Sequence, residues 1–306
     1  MNSRTPFLIH PRIRTILAAG GLWLSALAAS AQSTELFRSW NQPVQPFKII
    51  GNVHYVGASD IASYLIVTPE GHILLEGGFA ETAPLIAKNI RALGFRVEDI
   101  KFLLTSHAHL DHAGGLAELK RLSGAQLVAT APEADGLARG GKGDFQWGDT
   151  LPFPPVTAER IVADGDTVSL GGVVLTARVT PGHTKGSTTW TMSATDAGKP
   201  CAVVFMASLT TPGYDLVANP QYPNLGADIL RSCAILRALP CDAYLAPHGF
   251  AFGLAEKRAR LGAEPNPFID PAGYRKAIDD TERQLRRRLE KATKQSPVSS
   301  ASPANP

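Results

Sequence analysis

The chain has 306 residues, of which 44% are apolar and 19% are charged. This length and composition allow a large buried core and exclude a chain that is disordered throughout. The formal net charge is only +3, and three arginines in the first 31 residues account for it, so the rest of the chain has no basic excess that would attract nucleic acid.

The first segment has the pattern of a secretion signal. A basic start is followed by an apolar stretch from Ile16 to Leu27 and by the small residues Ala29-Ser30-Ala31, directly before Gln32. We expect residues 1–31 to be removed, which would leave the protein in the periplasm without a stable membrane association. An uncleaved anchor is the alternative, although the apolar run is shorter than the about 20 residues that cross a bilayer.

The first half of the remaining chain predicts strands followed by helices. Short β-type runs between Phe47 and Glu76 predict an antiparallel meander. Apolar residues at helical spacing predict a helix over Glu81 to Leu93, which ends at Gly94. The next predicted elements are a strand at Lys101 to Thr105, a helix at Gly115 to Leu122, a strand at Gln126 to Ala129 and a short helix near Pro132 to Arg139.

The second half repeats this order. Its predicted elements are strands near Ile161-Val162, Val173 to Val179, Thr188 to Met192 and Ala202 to Met206, a helix at Ile229 to Leu239, a strand at Ala243 to Ala246 and a long helix around Gly273 to Thr293. Two β-then-α halves predict an α/β fold, a four-layer αβ/βα sandwich, in one domain over residues 32–294. The Ser-, Pro- and Ala-rich residues 295–306 predict a disordered tail. Arg286-Arg287-Arg288 is interpreted as the solvated face of the last helix, and binding of an acidic partner is the alternative.

Four side chains that can bind a metal lie between the predicted strand at Lys101 to Thr105 and the helix that follows. They are His107, His109, Asp111 and His112, within six consecutive positions. Imidazole and carboxylate groups suit zinc, and a turn before the Gly114-Gly115 pair can direct alternate side chains to different ions. The segment therefore predicts two adjacent zinc ions.

Two further histidines share this setting. His183 and His248 each follow a predicted strand and a proline, and loops at strand ends are where a scaffold presents functional side chains. A dinuclear site needs more than four protein ligands, which favours both residues as ligands. His54 and His72 lie among strand residues and are interpreted as ordinary surface or core positions.

The motif His107-x-His109-x-Asp111-His112, followed by Gly182-His183-Thr184 and Pro247-His248-Gly249, resembles the metallo-β-lactamase superfamily over about residues 47–290. Histidine at 112 together with Ser208 resembles subclass B3, whereas glyoxalases and lactonases of the superfamily have a metal-bridging aspartate where this chain has Ser208. The resemblance implies two Zn²⁺ ions per chain. It assigns His107, His109 and His183 to the first ion and Asp111, His112 and His248 to the second.

The resemblance also implies a reaction. The expected activity is hydrolysis of the β-lactam amide bond of penicillins, cephalosporins and carbapenems by a metal-bound hydroxide, which confers antibiotic resistance. Asp111 would orient the hydroxide, and Ser208 and Thr210 would bind the substrate carboxylate. We expect a monomer whose partner is this small-molecule substrate. The alternatives are an exported zinc hydrolase of lactones or thioesters, and a metal-binding protein with little catalysis.

Glu76, the cysteines and residues 140–147 each give a further expectation. Relatives usually have aspartate where this chain has Glu76, and the extra methylene is expected to shift a hydrogen bond behind the metal ligands and to weaken metal affinity. Many relatives link a cysteine near position 241 to one in the C-terminal helix, but no cysteine follows Cys241 in this chain. The sequence allows one disulfide among Cys201, Cys233 and Cys241 without indicating which pair forms it, and free thiols are the alternative. Residues 140–147 are either a mobile flap over the substrate or an ordinary surface loop.

Overall fold

The computed structural model describes residues 35–263 and 265–295. The predicted signal segment lies outside this range, and so does the predicted tail except for Gln295, which is the last residue of a helix. Within the described ranges, no helix has the length and apolar character needed to cross a membrane. The three cysteines are free thiols.

The first sheet has seven strands, arranged from β1 to β7 in chain order. The predicted meander is confirmed: β1 (Phe47–Ile50), β2 (Val53–Tyr55), β3 (Tyr64–Thr68) and β4 (Gly71–Leu75) pair antiparallel. Three strands then continue the sheet in parallel, namely β5 (Ile100–Leu104), β6 (Gln126–Thr130) and β7 (Arg160–Val162).

The second sheet has five strands in the order β12-β11-β10-β9-β8. They are β8 (Thr167–Leu170), β9 (Val173–Val179), β10 (Thr188–Asp196), β11 (Lys199–Phe205) and β12 (Ala243–Leu245). All pairs are antiparallel except β11 with β12. The sequence does not predict β8, because its two apolar positions, Val168 and Leu170, form too short an alternation to indicate a strand.

Helices cover the outer faces of both sheets. In the described residues they are α1 (Ala83–Ala92), α2 (Leu110–Ala113), α3 (Leu116–Ser123), α4 (Ala131–Ala138), α5 (Leu225–Ala238), α6 (Gly249–Phe252), α7 (Leu254–Ala259) and α8 (Pro271–Gln295), with 3-10 turns at Ala80–Thr82 and Val97–Asp99 and a helical segment at 35–40. The predicted helix that begins at Glu81 is thus a 3-10 turn followed by α1. The sequence misses α2, α6 and α7, which are too short to show a helical period.

The core consists of two apolar layers on opposite faces of the first sheet. On β3, Tyr64 and Ile66 point to the space between the sheets and pack with Trp190 of β10, whereas Leu65 points to the helices and packs with Ile86 of α1. Because both faces are buried, these strands read as continuous apolar runs instead of alternating ones. The predicted four-layer αβ/βα sandwich is confirmed.

The fold gathers the loops of interest at one edge. β9, β11 and β12 run in the same direction, so the loops that begin after Val179, Phe205 and Leu245 leave the same side of the second sheet. The loop after β5 meets them there. His183, Ser208 and His248 therefore approach the histidine cluster although they are far away in sequence.

Candidate metal centre

The histidine cluster begins directly after β5. His107 and His109 lie in the extended loop, and the single helical turn α2 starts after His109, whose backbone is still extended. Asp111 and His112 lie on this turn. An extended loop followed by one helical turn sends the ligand side chains in two directions.

The glycine pair after the cluster is required by close packing of the backbone. A Cβ atom on Gly114 would lie 2.4 Å from the carbonyl oxygen of Leu110, and one on Gly115 would lie 2.2 Å from that of Gly77. Both glycines have negative φ angles, at −56° and −85°. The pair therefore lets α2 pack against the loop after β4, and backbone freedom is not the reason for it.

The first predicted ligand set comes together. The candidate ligand atoms of His107, His109 and His183 all lie within 4.8 Å of one another, and Nδ1 of His109 is 3.1 Å from Nε2 of His183. On the far side of each ring, Nδ1 of His107 is 2.8 Å from the Ser106 hydroxyl, and Nδ1 of His183 donates to the carbonyl oxygen of Thr210 at 2.7 Å. The inward-facing atoms are thus Nε2 of His107 and His183 and Nδ1 of His109.

These three nitrogens fit a cation. Nε2 of His107 is buried and has no hydrogen-bond partner among the described residues. Burial, and then the neighbouring imidazoles, hold the pKa of His107 well below its usual range and lower that of His183 to about 3. Neutral imidazoles that direct lone pairs at one point are the form that binds a metal.

The second predicted ligand set also comes together. Candidate ligand atoms of Asp111, His112 and His248 lie within 4.8 Å of one another. Oδ2 of Asp111 is 3.2 Å from Nε2 of His112 and 3.3 Å from Nε2 of His248. Burial opposes the ionised form of Asp111, but the two imidazoles outweigh it and hold its pKa well below the usual range. A carboxylate with two imidazoles is a donor set that suits zinc.

Asp60 orients His248, and the sequence analysis did not identify it. Its Oδ2 accepts a hydrogen bond from Nδ1 of His248 at 2.7 Å, and its Oδ1 accepts one from the backbone N–H of Phe250 at 2.8 Å. These contacts turn Nε2 of His248 towards Asp111. The two residues are 188 positions apart, so no local motif could reveal the pair.

Glu133 links the two loops that carry the first ligand set. Its side chain accepts hydrogen bonds from the backbone N–H of Ala108 at 2.6 Å, from the hydroxyl of Thr184 at 2.6 Å and from the backbone N–H of Gly186 at 2.9 Å. Ala108 lies between His107 and His109. The relative position of the two loops therefore depends on one buried carboxylate, whose pKa is raised by burial.

Glu76 supports the start of the cluster. Its oxygens accept hydrogen bonds from the backbone N–H of Ser106 at 2.8 Å and from the hydroxyl of Thr105 at 3.1 Å, while its own backbone has a left-handed φ of 71°. Its Oε2 is 3.9 Å from Nδ1 of His112, beyond hydrogen-bond distance. The expected effect of the longer side chain on metal affinity stays a prediction, and this distance agrees with it.

A cavity of about 580 Å³ opens beside both ligand sets. Its walls are largely apolar and include Phe37, Trp40, Trp147, Leu151, Pro212 and Phe250. The loop over residues 140–147 contributes to this wall. Its Asp144 lies 3.5 Å from Nε2 of His109, and its Phe145 packs edge-on against Tyr214 at 5.4 Å between ring centroids. The cavity thus combines apolar surface with the candidate metal ligands, as small-molecule sites do.

The two predicted substrate-binding residues occupy different positions. Thr210 lines the cavity, whereas Ser208 is buried with its hydroxyl 2.9 Å from Oγ1 of Thr210. Tyr214, which the sequence analysis did not single out, stacks on His183 at 6.0 Å between ring centroids and donates a hydrogen bond to its carbonyl oxygen. This part of the cavity wall is therefore attached to a candidate ligand.

Comparison with known proteins agrees with this geometry. The family model of the metallo-beta-lactamase superfamily matches residues 56–195. The chain is similar to a solved metallo-β-lactamase of Cronobacter sakazakii with a HARLDQ motif, with a TM-score of 0.82, 46% identity, and coverage of 85% of this chain and 100% of that one. It is also similar to BJP-1 of Bradyrhizobium japonicum, described as a subclass B3 metallo-β-lactamase, with a TM-score of 0.78, 38% identity, and coverage of 83% and 97%.

A curated relative differs in its described activity. A hydroxyacylglutathione hydrolase of Rhodopseudomonas palustris is 31% identical over 187 residues, which are 61% of this chain and 60% of that protein. This chain therefore spans about 60% of the length of that relative.

The ligand motif separates this chain from one of its structural relatives. Residues 107–112 read HAHLDH, so this chain has His109 and His112 where the HARLDQ motif has arginine and glutamine. The resemblance to subclass B3 is confirmed by the similarity to BJP-1. The chain belongs to the metallo-β-lactamase superfamily and is a hydrolase of that family.

Proposed function

We propose that this protein is a zinc-dependent β-lactamase that binds one zinc ion at each ligand set and hydrolyses penicillins, cephalosporins and carbapenems. The observation that carries the proposal is the pair of complete ligand sets beside one cavity, each of which contributes two residues to the cavity wall. The similarity to a subclass B3 enzyme over 97% of that enzyme supports the substrate class.

The donor atoms support zinc as the metal. The first set offers three imidazole nitrogens, and the second offers two imidazoles and a carboxylate. Zinc prefers such ligands, and it supplies the Lewis acidity that polarises a carbonyl group and makes water nucleophilic near neutral pH. Contacts behind the ligands, such as Asp60 on His248, fix the ring orientations in advance.

The side chains around the cavity have distinct proposed roles. Asp111, whose Oδ2 lies 3.2 and 3.3 Å from the two imidazoles of the second set, would orient the attacking water. Thr210 lines the cavity and would donate a hydrogen bond from its hydroxyl to the substrate carboxylate, with the Ser208 hydroxyl holding it at 2.9 Å. The aromatic rings of Trp40 and Trp147 would pack against the substituents of the lactam ring.

A hydrolase of thioesters or lactones is the second candidate, since a curated relative is a hydroxyacylglutathione hydrolase. Ser208 argues against it. Glyoxalases and lactonases of the superfamily are expected to have a metal-bridging aspartate at the position of Ser208. A serine hydroxyl cannot replace a carboxylate as a bridging ligand.

Hydrolysis assays on one preparation distinguish the candidates. We expect the zinc-loaded protein to hydrolyse benzylpenicillin and imipenem, to lose this activity with EDTA and to regain it with added zinc. His109→Ala is expected to abolish turnover, whereas the matched variant His54→Ala should keep it, because His54 packs against Phe95 outside the ligand sets. Turnover of only a lactone or a glutathione thioester would overturn the proposal in favour of the second candidate.

We further propose that the enzyme acts in the periplasm after removal of residues 1–31, a proposal that rests on the sequence of that segment. The intact mass of the protein isolated from the periplasmic fraction tests it. A mature chain that begins at Gln32 is the expected result, and a full-length chain in the cytoplasmic fraction would contradict it.

A further inference from the structure

The segment 208–214 is a thin wall between two cavities. Thr210 and Pro212 line the main cavity, and both also line a second cavity of about 280 Å³ on the opposite side, towards α5 and α8. Leu209 and Tyr214 are buried in the core, but Thr210 to Pro212 between them are exposed or half-buried and have open space behind them. Polar contacts therefore help to fix the position of this stretch of the wall.

Arg288 of α8 reaches across the second cavity to the back of the wall. Its Nη1 donates hydrogen bonds to the carbonyl oxygen of Thr211 at 2.9 Å and to the hydroxyl of Thr211, and its Nη2 donates to the carbonyl oxygen of Tyr214 at 3.0 Å. A planar guanidinium group satisfies several acceptors at once, which a flexible ammonium group does less well. Along the chain, Arg288 is 77 positions away from Thr211 and 74 positions away from Tyr214.

Two residues at this wall, Thr210 beside the first anchor point and Tyr214 at the second, are also bonded to the candidate ligand His183. The carbonyl oxygen of Thr210 accepts the hydrogen bond from His183, and the Tyr214 hydroxyl donates to the carbonyl oxygen of His183 at 3.0 Å. The hydroxyl of Thr210 lies 2.9 Å from that of Ser208 and 3.4 Å from Nδ1 of His183, and Thr210 lines the main cavity, where it would meet the substrate. A displacement of the wall would therefore move the substrate contact first.

We propose that Arg288 is a positioning residue, which fixes the 208–214 wall so that Thr210 can bind the substrate. This proposal rests on the proposed function for its substrate, a β-lactam carboxylate. The structure confirms the interpretation of Arg286-Arg287-Arg288 as an exposed helix face. Arg286 pairs with Glu282 on the surface of α8, and Arg288 in addition contacts the wall.

The test compares Arg288→Ala, Arg288→Lys and the matched control Arg287→Ala in the zinc-loaded full chain. Hydrogen exchange of the backbone amides in residues 208–214 measures how often the wall opens locally, and this measurement needs no substrate. We expect Arg288→Ala to speed this exchange by about tenfold, which corresponds to the loss of charge-assisted hydrogen bonds. Arg288→Lys should give an intermediate effect, and Arg287→Ala should give none.

The kinetic arm uses benzylpenicillin. Arg288→Ala is expected to raise KM by about tenfold while kcat changes less than about threefold, since the wall contributes binding and not the reacting groups. Unchanged exchange in residues 208–214, or a fall in kcat at constant KM, would overturn the proposal. Faster exchange in Arg288→Ala, in a protein that hydrolyses no β-lactam even as wild type, would support the placement of the wall and overturn only the proposed substrate.

Discussion

Replacing Glu133 by alanine tests whether one buried carboxylate holds the two histidine loops in place. The side chain accepts hydrogen bonds from Ala108, Thr184 and Gly186, at 2.6, 2.6 and 2.9 Å. All three donor residues are buried. Because alanine offers no acceptor, these donors would lose their partner where water has little access.

The expected cost follows from these contacts. A hydrogen bond to a charged group contributes about 1.5–3 kcal/mol, and a buried donor without a partner costs about 1–3 kcal/mol. Because contributions from contacts to one side chain do not add in full, we expect Glu133→Ala to lower the free energy of unfolding by about 3–5 kcal/mol. Glu133→Gln should cost roughly half as much, because its amide oxygen still accepts from one side while its NH₂ group faces another donor.

Urea unfolding of the metal-free protein measures this loss. The matched control is Glu118→Ala, which removes an exposed carboxylate paired with Arg121 on α3 and should leave the unfolding midpoint unchanged. Zinc affinity of the first ligand set should also fall by about 10–100-fold in Glu133→Ala. If Glu133→Ala unfolds at the same urea concentration as Glu118→Ala and binds zinc like the wild type, Glu133 does not position the loops.

Two further substitutions and one binding measurement have defined outcomes. His109→Ala should remove the metal of the first ligand set together with nearly all hydrolysis, and metal analysis that finds the site still filled would exclude His109 as a ligand. Ser208→Ala should raise KM more than it lowers kcat, because Ser208 holds the Thr210 hydroxyl at 2.9 Å; steady-state kinetics with a larger loss in kcat would contradict this. Burial lowers the pKa of His248, but in the metal-free protein hydrogen bonds to Asp111 and Asp60 outweigh it and raise that pKa to about 9. The protonated imidazole therefore stabilises the metal-free fold below its ordinary pKa of 6.5, and this contribution is lost as the pH rises through about 9. Zinc must displace this proton, so binding near pH 7 should release it and tighten with rising pH; calorimetry in buffers of different ionisation enthalpy that detects no proton release would refute the assignment.

The grouping of the candidate ligand residues could be predicted from sequence because each one carries a local signal. His107 to His112 form a dense motif after an apolar strand, and His183 and His248 each follow a strand and a proline. The order of strands and helices also predicts the four layers, since each element has its own pattern of apolar residues. The motif and the individual elements can each be recognised within a short stretch of the chain.

The supporting residues carry no such signal. Asp60 and Glu133 act through partners that the fold brings from distant segments, and a single acidic residue in a sequence resembles any exposed one. Arg288 lies in a basic triplet whose charge indicates only an exposed helix surface, and its contact with Thr211 depends on how α8 packs against α5. Such contacts require the tertiary structure, which local patterns do not contain.

Zinc titration of the metal-free protein, with imipenem hydrolysis followed at each addition, tests the central claim most directly. The account predicts that turnover rises with added zinc and reaches its plateau when each of the two ligand sets holds one ion. A protein that binds zinc at both sets and hydrolyses neither imipenem nor benzylpenicillin at any zinc content would contradict it.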